Sequence, residues 1–351
     1  MKTDWKTVFK IAFTYIGTVV GAGFASGQEI VQFFTSKGPF SFIAIALASG
    51  GFAWLGNRMM LIGARLEASS YEAFNDYLFG KRFGRIMNGF VTIILFGVTT
   101  AMISGTGAMA EEQVGVSFHF GVLFTLLLAY ITIVRGLDGI LAVNSLVVPM
   151  MVVFCAVLGI SSFLTWSETT ALPATPSAAV PPLAWLVSAV TYLSYNLAMA
   201  QCVLVPMGSE IADERTIKKG GLIGGIGLGL MLLTTNFALS LENSAVTQLE
   251  IPLAPIIAEL GTFVKVLFLA VMWAEIFTTL IGNVYGLAAN LETVFVLGHN
   301  KMLLLLFALG YACSLIGFSN MVGYAYPLFG YTGIATMVLL AFSRLPQHKS
   351  H

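Results

Sequence analysis

Two stretches place glycines or polar residues inside otherwise apolar sequence. These are the positions at which we expect binding of a ligand or an ion. The stretch GTVVGAGFASGQE, residues 17–29, contains four glycines within eleven residues and ends in Gln28 and Glu29. The stretch WAEIFTTLIGN, residues 273–283, brings a carboxyl group and two hydroxyl groups into a second apolar run. Both stretches would present polar groups where water is excluded, which favours binding of a polar solute or an ion.

The glycine run predicts a helix that is interrupted at membrane depth. Each glycine costs a helix interior up to ~1 kcal/mol, so four of them favour a break, although the spacing of Gly17 and Gly21 also suits close helix packing. Backbone groups freed at that depth must line a cavity or bind a ligand. The half-helix beginning near Phe24 would direct N–H groups at an anion, and the one ending near Val20 would offer carbonyl oxygens to a cation.

The composition indicates that membrane-spanning helices position these residues. The chain has 351 residues, of which 57% are hydrophobic and 10% are charged, and this is more apolar surface than a soluble domain buries. The formal net charge is zero, so no attraction to nucleic acid is expected. The three cysteines lack metal-ligand spacing and are interpreted as small apolar side chains. We predict a polytopic membrane protein in the lipid bilayer, without a cofactor and without enzyme activity.

Apolar windows long enough to cross a bilayer recur along the whole chain. We predict an all-α fold of about ten transmembrane helices in one domain. The Pro-rich segment 167–182 separates two halves of five, a first repeat over about 8–165 and a second over about 183–343. The windows are 8–35, 39–62, 86–110, 118–134, 139–165, 183–208, 219–241, 262–287, 301–318 and 322–343.

The distribution of basic residues predicts the orientation. With a cytoplasmic amino terminus, fifteen of the 17 Lys and Arg residues fall at the inner side, and only Lys37 and Lys265 fall outside. This asymmetry satisfies the positive-inside rule and places both termini in the cytoplasm. An odd number of spans in each half reverses the second half relative to the first, as an inverted repeat requires.

The run GTVVGAGFASGQEIVQFF, residues 17–34, resembles the opening of the YkvI-type bacterial membrane proteins, within the amino acid-polyamine-organocation superfamily. The resemblance implies a LeuT-type fold in the bacterial cytoplasmic membrane, with inverted repeats and with the first and sixth helices interrupted around the substrate. It implies alternating-access transport of a small organic solute, such as an amino acid or related amine, coupled to sodium or protons. The alternative is a transporter-like receptor that senses a small ligand.

The resemblance places the substrate between the first and sixth spans. The sixth span carries the polar cluster TYLSYN, residues 191–196, without glycine or proline. We interpret the cluster as facing the substrate, and a continuous helix whose polar side chains bond to neighbours is the alternative. A hydroxyl on the third span would reach the same cavity. The candidate substrate-binding residues are Gly21, Ala22, Gly23, Phe24, Thr106, Tyr192, Tyr195 and Asn196.

The eighth span predicts a cation site. In the family fold, hydroxyls of this span and carbonyls of the broken first span complete a sodium site, and five oxygens suit a hard monovalent cation. Two alternatives remain, because the threonines also bond readily to the preceding helical turn and Glu275 is able to carry a proton instead. The candidate cation-binding groups are the carbonyls of Gly17, Val20 and Glu275 and the hydroxyls of Thr278 and Thr279.

Glu29 is a second carboxyl group inside an apolar window. It lies on the outer half of the first span, five residues after Phe24. Contact with the substrate, carriage of a proton and pairing with a polar partner are three roles that the sequence leaves open.

The predicted orientation is tested by cysteine accessibility in a variant in which Cys155, Cys202 and Cys313 are replaced by serine. A cysteine at position 3 or 350 should react with a membrane-impermeant maleimide only after permeabilisation of the cells, whereas Ser36→Cys should react in intact cells. Labelling of one terminus in intact cells would contradict an even number of spans.

Overall fold

In the computed structural model the chain is a bundle of helices joined by short connections. The structure describes residues 4–68, 70–135, 138–168, 181–211, 213–292 and 297–347, and no β-strand occurs in these ranges. The all-α fold predicted from the sequence is therefore confirmed.

The described residues of the first half form eight α-helices. A 3-10 segment, Thr35–Phe40, precedes α4, a π-helical segment, Phe52–Gly56, joins α4 to α5, and another, Ala110–Val114, extends α6. The long helix α6 is kinked at Gly80, where φ is +74°. The helices are α1 (Trp5–Val19), α2 (Ala22–Ser26), α3 (Gln28–Phe33), α4 (Ser41–Gly51), α5 (Asn57–Leu66), α6 (Tyr71–Met109), α7 (Phe118–Arg135) and α8 (Asp138–Glu168).

Eight further α-helices occur in the part of the second half that the structure describes. Two of them are short and lie in the connection between α10 and α13, and a π-helical segment, Met321–Ala325, precedes the last helix. The helices are α9 (Ala184–Ser209), α10 (Glu214–Ser240), α11 (Ser244–Thr247), α12 (Leu253–Ala258), α13 (Thr262–Glu292), α14 (His299–Ser314), α15 (Phe318–Asn320) and α16 (Tyr326–Phe342).

Every predicted apolar window coincides with helical structure, but not every window forms a long helix. Within the described ranges, 7 helical segments are long and apolar enough to cross a membrane. The first window is divided into three short helices, α14 has 16 residues, and the apolar part of α7, Phe118–Val134, is also short. The count of ten spans therefore stays a prediction. The long segments are Thr35–Leu66, Tyr71–Val114, Val147–Trp166, Ala184–Ser209, Glu214–Ser240, Thr262–Ala288 and Phe318–Phe342.

The first span is broken twice, and the break predicted between Gly17 and Phe24 is confirmed. Helix α1 ends at Val19, Val20 and Gly21 are extended, and α2 begins at Ala22. A second break lies at Gly27, whose φ of +89° is in the left-handed region that glycine adopts at no steric cost. The span thus consists of three separate helices, of which α1 has 15 residues and α2 and α3 have 5 and 6.

The sixth span is not broken, which corrects the interruption that the family resemblance implies. Helix α9 is continuous from Ala184 to Ser209 and passes through the cluster TYLSYN. No glycine or proline precedes Pro206 in this helix. The polar side chains bond to carbonyls of the preceding turn, as Thr191 does to Val187 at 2.8 Å and Asn196 does to Tyr192 at 2.9 Å. Their hydrogen-bonding needs are met in part without unwinding the backbone.

Helices α9 and α16 approach each other closely because two glycines remove the intervening side chains. A Cβ atom at Gly330 would lie 2.5 Å from the Thr191 carbonyl oxygen, and one at Gly333 would lie 2.6 Å from the Ser194 carbonyl oxygen. The Ser194 hydroxyl also donates to the Gly330 carbonyl at 2.6 Å. Small residues at a helix interface commonly permit such approach in membranes, and here they bring the sixth and tenth spans together.

The second break predicts a matched pair of alanine substitutions. Gly27→Ala should lower stability by more than about 1 kcal/mol, because alanine is strained at this φ and its Cβ would lie 2.8 Å from Leu253 Cγ. Gly282→Ala is the control, since position 282 is helical and a Cβ there meets no atom within 4 Å. The melting temperatures of both variants in detergent measure the effect. A Gly27→Ala protein as stable as the control would contradict the strain.

Candidate binding site at the break in the first span

The break leaves backbone groups of both polarities without helical partners. The Val20 N–H bonds to the Ile16 carbonyl at 2.8 Å, so the following carbonyls of α1, including those of Gly17 and Val20, have no helical N–H to accept. On the other side, the Ala25 N–H bonds to the Gly21 carbonyl at 2.8 Å, and the first N–H groups of α2 are left over. Carbonyls and N–H groups therefore meet at one point of the span.

The side chain of Glu29 turns back onto this point. A Cβ atom at Gly23 would lie 2.6 Å from Glu29 Cγ and 2.7 Å from Glu29 Oε1, so only glycine leaves room for the carboxyl group. The Tyr195 hydroxyl donates to Glu29 Oε1 at 2.5 Å. Glu29 Oε2 is buried and has no hydrogen-bond partner among the described residues. Glu29, for which the sequence left three roles open, thus contacts Gly23 and Tyr195, two of the predicted substrate-binding residues.

Aromatic rings pack against one another beside the carboxyl group, which the Tyr195 hydroxyl contacts. The centroids of Phe33 and Tyr192 are 5.2 Å apart, those of Phe33 and Tyr195 are 5.9 Å apart, and those of Tyr195 and Tyr326 are 5.0 Å apart. The hydroxyl groups of all three tyrosines are close enough to interact electrostatically with the Glu29 carboxyl group. The hydroxyls of Tyr192 and Tyr326 are buried without a hydrogen-bond partner in the described part of the chain. We call Glu29, Phe33, Tyr192, Tyr195 and Tyr326 the carboxyl–aromatic cluster.

The predicted substrate-binding residues of the first span contact different parts of the protein. Gly23 contacts Glu29, and Phe24 is fully buried. A Cβ at Gly21 would lie 2.9 Å from Met102 Cε, so Gly21 packs against the third span. Ala22 also faces that span, where a Cβ at Gly105 would lie 3.4 Å from it.

Two of the predicted polar residues bond within their own helices. The Thr106 hydroxyl donates to the Ile103 carbonyl at 2.8 Å, so it is engaged away from the cluster. The Asn196 side-chain amide donates to the Tyr192 carbonyl at 2.9 Å, while its Oδ1 is buried and without a partner among the described residues. The Oδ1 of Asn196 is thus available to accept a hydrogen bond from a ligand. The hydroxyl proton of Thr106 is not available, because it is already donated to the Ile103 carbonyl.

The predicted cation-binding residues lie on the first span and on α13. Helix α13 packs against α2. On α13, Glu275 is buried with an unpartnered Oε2, and Thr279 is half-buried. The Thr278 hydroxyl donates to the Glu275 carbonyl at 3.1 Å, which is the back-bonding arrangement left open by the sequence. The Cβ that Gly17 lacks would lie 2.6 Å from Val148 Cγ2 of α8. This ligand set stays a prediction.

Sequence reasoning missed Met102, Phe318 and Tyr326. Met102 and Phe318 are apolar residues on long apolar helices, so no signal distinguishes them from ordinary packing. Tyr326 follows the π-helical segment Met321–Ala325, a type of distortion that is frequent at functional sites. That distortion is visible in the backbone and not in the amino-acid types.

A cavity of about 610 Å³ lies at the end of the bundle that carries residues 111–118 and 314–318. The predicted orientation assigns this end to the outside, and we call it the outer end. Phe318 lines the cavity and also lies against Gly105, where a Cβ would be 3.4 Å from its ring. Phe318 therefore lies between the cavity and the contact of Gly105 with Ala22. Three carboxyl groups and one histidine line it, namely Glu111, Glu112, Glu250 and His119.

Hydrogen bonds close the outer end beside this cavity. The Gln28 side-chain amide donates to the Leu249 carbonyl at 3.0 Å and to the Ser319 hydroxyl at 2.5 Å. The Ser319 hydroxyl donates in turn to Glu250 Oε2 at 2.8 Å. The first span, the connection after α10 and the tenth span are joined in this way. Within the described ranges, no group of three or more His, Cys, Asp or Glu side chains is arranged to hold a metal ion.

The fold is shared with solved membrane transporters. The structure of MhsT with L-phenylalanine superposes with a TM-score of 0.67 at 15% identity, covering 94% of this chain and 87% of that one. Mhp1, a nucleobase-cation-symport-1 family transporter with bromovinylhydantoin bound, gives a TM-score of 0.63 at 12% identity, covering 92% and 74%. The manganese transporter of Eremococcus coleocola gives 0.62 at 14% identity, covering 96% and 77%. The fold and the broken first span define a membrane protein of the LeuT fold class.

A sequence relative narrows this class to a family. The uncharacterized membrane protein YkvI of Bacillus subtilis (strain 168) is 39% identical over 342 residues, which are 97% of this chain and 97% of the relative. The chain therefore belongs to the YkvI family of membrane proteins, as residues 17–34 indicate. No family model matches the chain.

The contact between Gly23 and Glu29 predicts an energetic coupling. Gly23→Ala should destabilise the protein by ~1–3 kcal/mol, because the methyl group displaces the carboxyl group from the Tyr195 hydroxyl. The same substitution should cost less in a Glu29→Ala background, which removes the side chain that the methyl group meets. Unfolding measured in detergent for the wild type, both single variants and the double variant gives the coupling, with ~0.5–3 kcal/mol expected for residues in contact. Additive effects would contradict the observed packing.

Proposed function

We propose that this protein is a secondary active transporter of a small organic solute, an amino acid or a related amine. The proposal rests on one observation, the break at Val20 and Gly21 beside the buried carboxyl–aromatic cluster. Freed backbone groups at membrane depth are tolerated where they line a cavity or bind a ligand. Transporters commonly place their substrate sites near the bilayer midplane, at discontinuous helices.

The lining of the site favours an organic solute. The rings of Phe33, Tyr192, Tyr195 and Tyr326 provide an apolar wall, and the carboxyl of Glu29 with the free tyrosine hydroxyls provides a few polar groups. A mainly apolar surface with few convergent polar groups is typical of small-molecule sites. The solute would enter through the cavity at the outer end, past Phe318, and leave towards the cytoplasm after the outer end has closed.

A coupling ion would bind between α1 and α13. The carbonyls of Gly17 and Val20, the Glu275 carbonyl and the hydroxyls of Thr278 and Thr279 supply five oxygens, which suits sodium better than a softer ion. Such an ion would join the first and eighth spans, so the ion and the substrate should raise each other's affinity by the same factor. A proton carried by the Glu275 carboxyl is the competing mechanism.

Accumulation in proteoliposomes tests the proposed function. The purified full-length chain is reconstituted, a sodium or proton gradient is imposed, and a panel of radiolabelled amino acids and organic amines is offered. Accumulation above the equilibrium level, abolished by dissipating the gradient, is the expected result. Saturable binding without accumulation of any bound compound would contradict transport and indicate a ligand receptor.

The coupling ion is identified by two sets of variants. Under sodium coupling, uptake at fixed pH rises with the sodium concentration. In the double variant Thr278→Val, Thr279→Val, this sodium-dependent increase in uptake should be at least about tenfold smaller. Under proton coupling, Glu275→Gln abolishes uptake and sodium has no effect. The matched control is Thr92→Val, Thr132→Val, because both hydroxyls bond to their own helices at 3.0 and 2.8 Å. We expect sodium, so uptake driven by protons in sodium-free buffer would contradict this prediction.

A further inference from the structure

The carboxyl group of Glu29 is buried without an ionic partner among the described residues. Glu29 is 2% exposed, and its Oε2 has no hydrogen-bond partner among the described residues. Its Oε1 accepts one bond, from the Tyr195 hydroxyl at 2.5 Å. Neither ion pair in the described part of the chain involves Glu29, since both are formed by Glu214. A buried carboxylate with an empty oxygen is costly unless something compensates it.

The rings around Glu29 favour an organic cation as that partner. Faces of tyrosine and phenylalanine attract ammonium groups within about 6 Å of the ring centroid. In the carboxyl–aromatic cluster, the rings of Phe33, Tyr195 and Tyr326 lie beside one another at centroid distances of 5.0–5.9 Å. A further acceptor, the hydroxyl oxygen of Tyr326, is buried without a partner among the described residues, and the Tyr192 hydroxyl lies close enough to interact with Glu29. One carboxylate, several ring faces and free oxygens together suit an alkylammonium group with an apolar remainder.

The position of Glu29 opposes a second negative charge. Its carboxyl lies against the backbone of Gly23, where the first N–H groups of α2 would otherwise receive an anion. A substrate carboxylate at that point would meet the Glu29 carboxylate in surroundings of low polarity, where like charges repel strongly. The charge of the site therefore selects for a cationic end and against an anionic one.

We propose that Glu29 binds the ammonium group of the transported solute, with Phe33, Tyr192, Tyr195 and Tyr326 surrounding it, so that the substrate class is organic amines. The inference rests on the proposed transport function and identifies the ammonium group as the part of the substrate that this site recognises. Compounds whose only charged group is a carboxylate are excluded by the same interaction.

Three compounds that share a phenyl ring and differ in charge test the inference. Phenethylamine carries a cation, 2-phenylethanol is neutral and 3-phenylpropionate carries an anion. Calorimetric titration of the purified full-length protein in detergent should give the strongest binding for phenethylamine, by at least about tenfold over the neutral compound, and the weakest for 3-phenylpropionate. Equal binding of the amine and the alcohol, stronger binding of the acid, or binding of none of the three overturns the inference.

Variants at Glu29 separate recognition of the amine from other roles of the carboxyl group. Glu29→Gln keeps the size and an acceptor for Tyr195 and should lose at least about tenfold of the affinity for phenethylamine, with 2-phenylethanol unaffected. Glu29→Asp keeps the charge and should retain a preference for the amine. Glu72→Gln, at an exposed position on α6, is the control for a change in net charge. If Glu29 carries only a proton, the Gln variant will bind the amine as tightly as the wild type, which contradicts the inference.

The outcomes for the two proposals are distinguishable. Transport is judged by accumulation of any compound in proteoliposomes, whatever its charge. Recognition by Glu29 is judged by the ratio of amine to alcohol affinity in detergent, which needs no gradient. Should the Gln variant fail to fold, as judged by its melting temperature, the charge series on the unaltered protein decides the question alone.

Discussion

A chain inside a membrane has no water with which to satisfy its backbone, and this constraint governs the structure around the first span. Helix α1 ends at Val19 and α2 begins at Ala22, so backbone groups on both sides of Gly21 need partners from the protein or from a ligand. Helices α6 and α13 pack against α2, and α9 packs against α1 and α3. These helices enclose the break, and Glu29 folds back onto it within the enclosed space.

The enclosed space holds one buried carboxyl group with an unpartnered oxygen, and a second such carboxyl group lies on a helix packed against the break. Glu29 and Glu275 are both buried, and each has an oxygen without a partner among the described residues. Even on a lenient insertion scale, an ionised side chain at membrane depth costs about 2.5–3.5 kcal/mol. Binding of a cation by each carboxyl group would offset that cost. The two proposals assign a different cation to each carboxyl group. Glu275 lies beside the predicted ion site, and Glu29 belongs to the carboxyl–aromatic cluster that is proposed to bind an ammonium group.

The sequence predicts the helices better than it predicts their contacts. The windows and the first break are readable because apolar length and glycine crowding are local properties of the chain. The continuity of α9 was only the alternative to the expected break, since it depends on how Thr191, Ser194 and Asn196 satisfy their own side chains. The central place of Glu29 could not be predicted either. It follows from Gly23, Tyr195 and Tyr326, which are far apart in the sequence and meet only after the helices have packed.

The glycine contacts between α9 and α16 determine which parts of the site are able to move. Helices that touch through backbone atoms, as at Gly330 and Gly333, have no flexible side chains between them to absorb sliding, so they behave as one mechanical unit. Tyr195 and Tyr326 stand on opposite members of that unit, with ring centroids 5.0 Å apart. Widening of the space around Glu29 must then come from the other wall. The short helices on either side of Gly27 form that wall, and the left-handed glycine between them is the point at which a change in the backbone angles would tilt one short helix relative to the other.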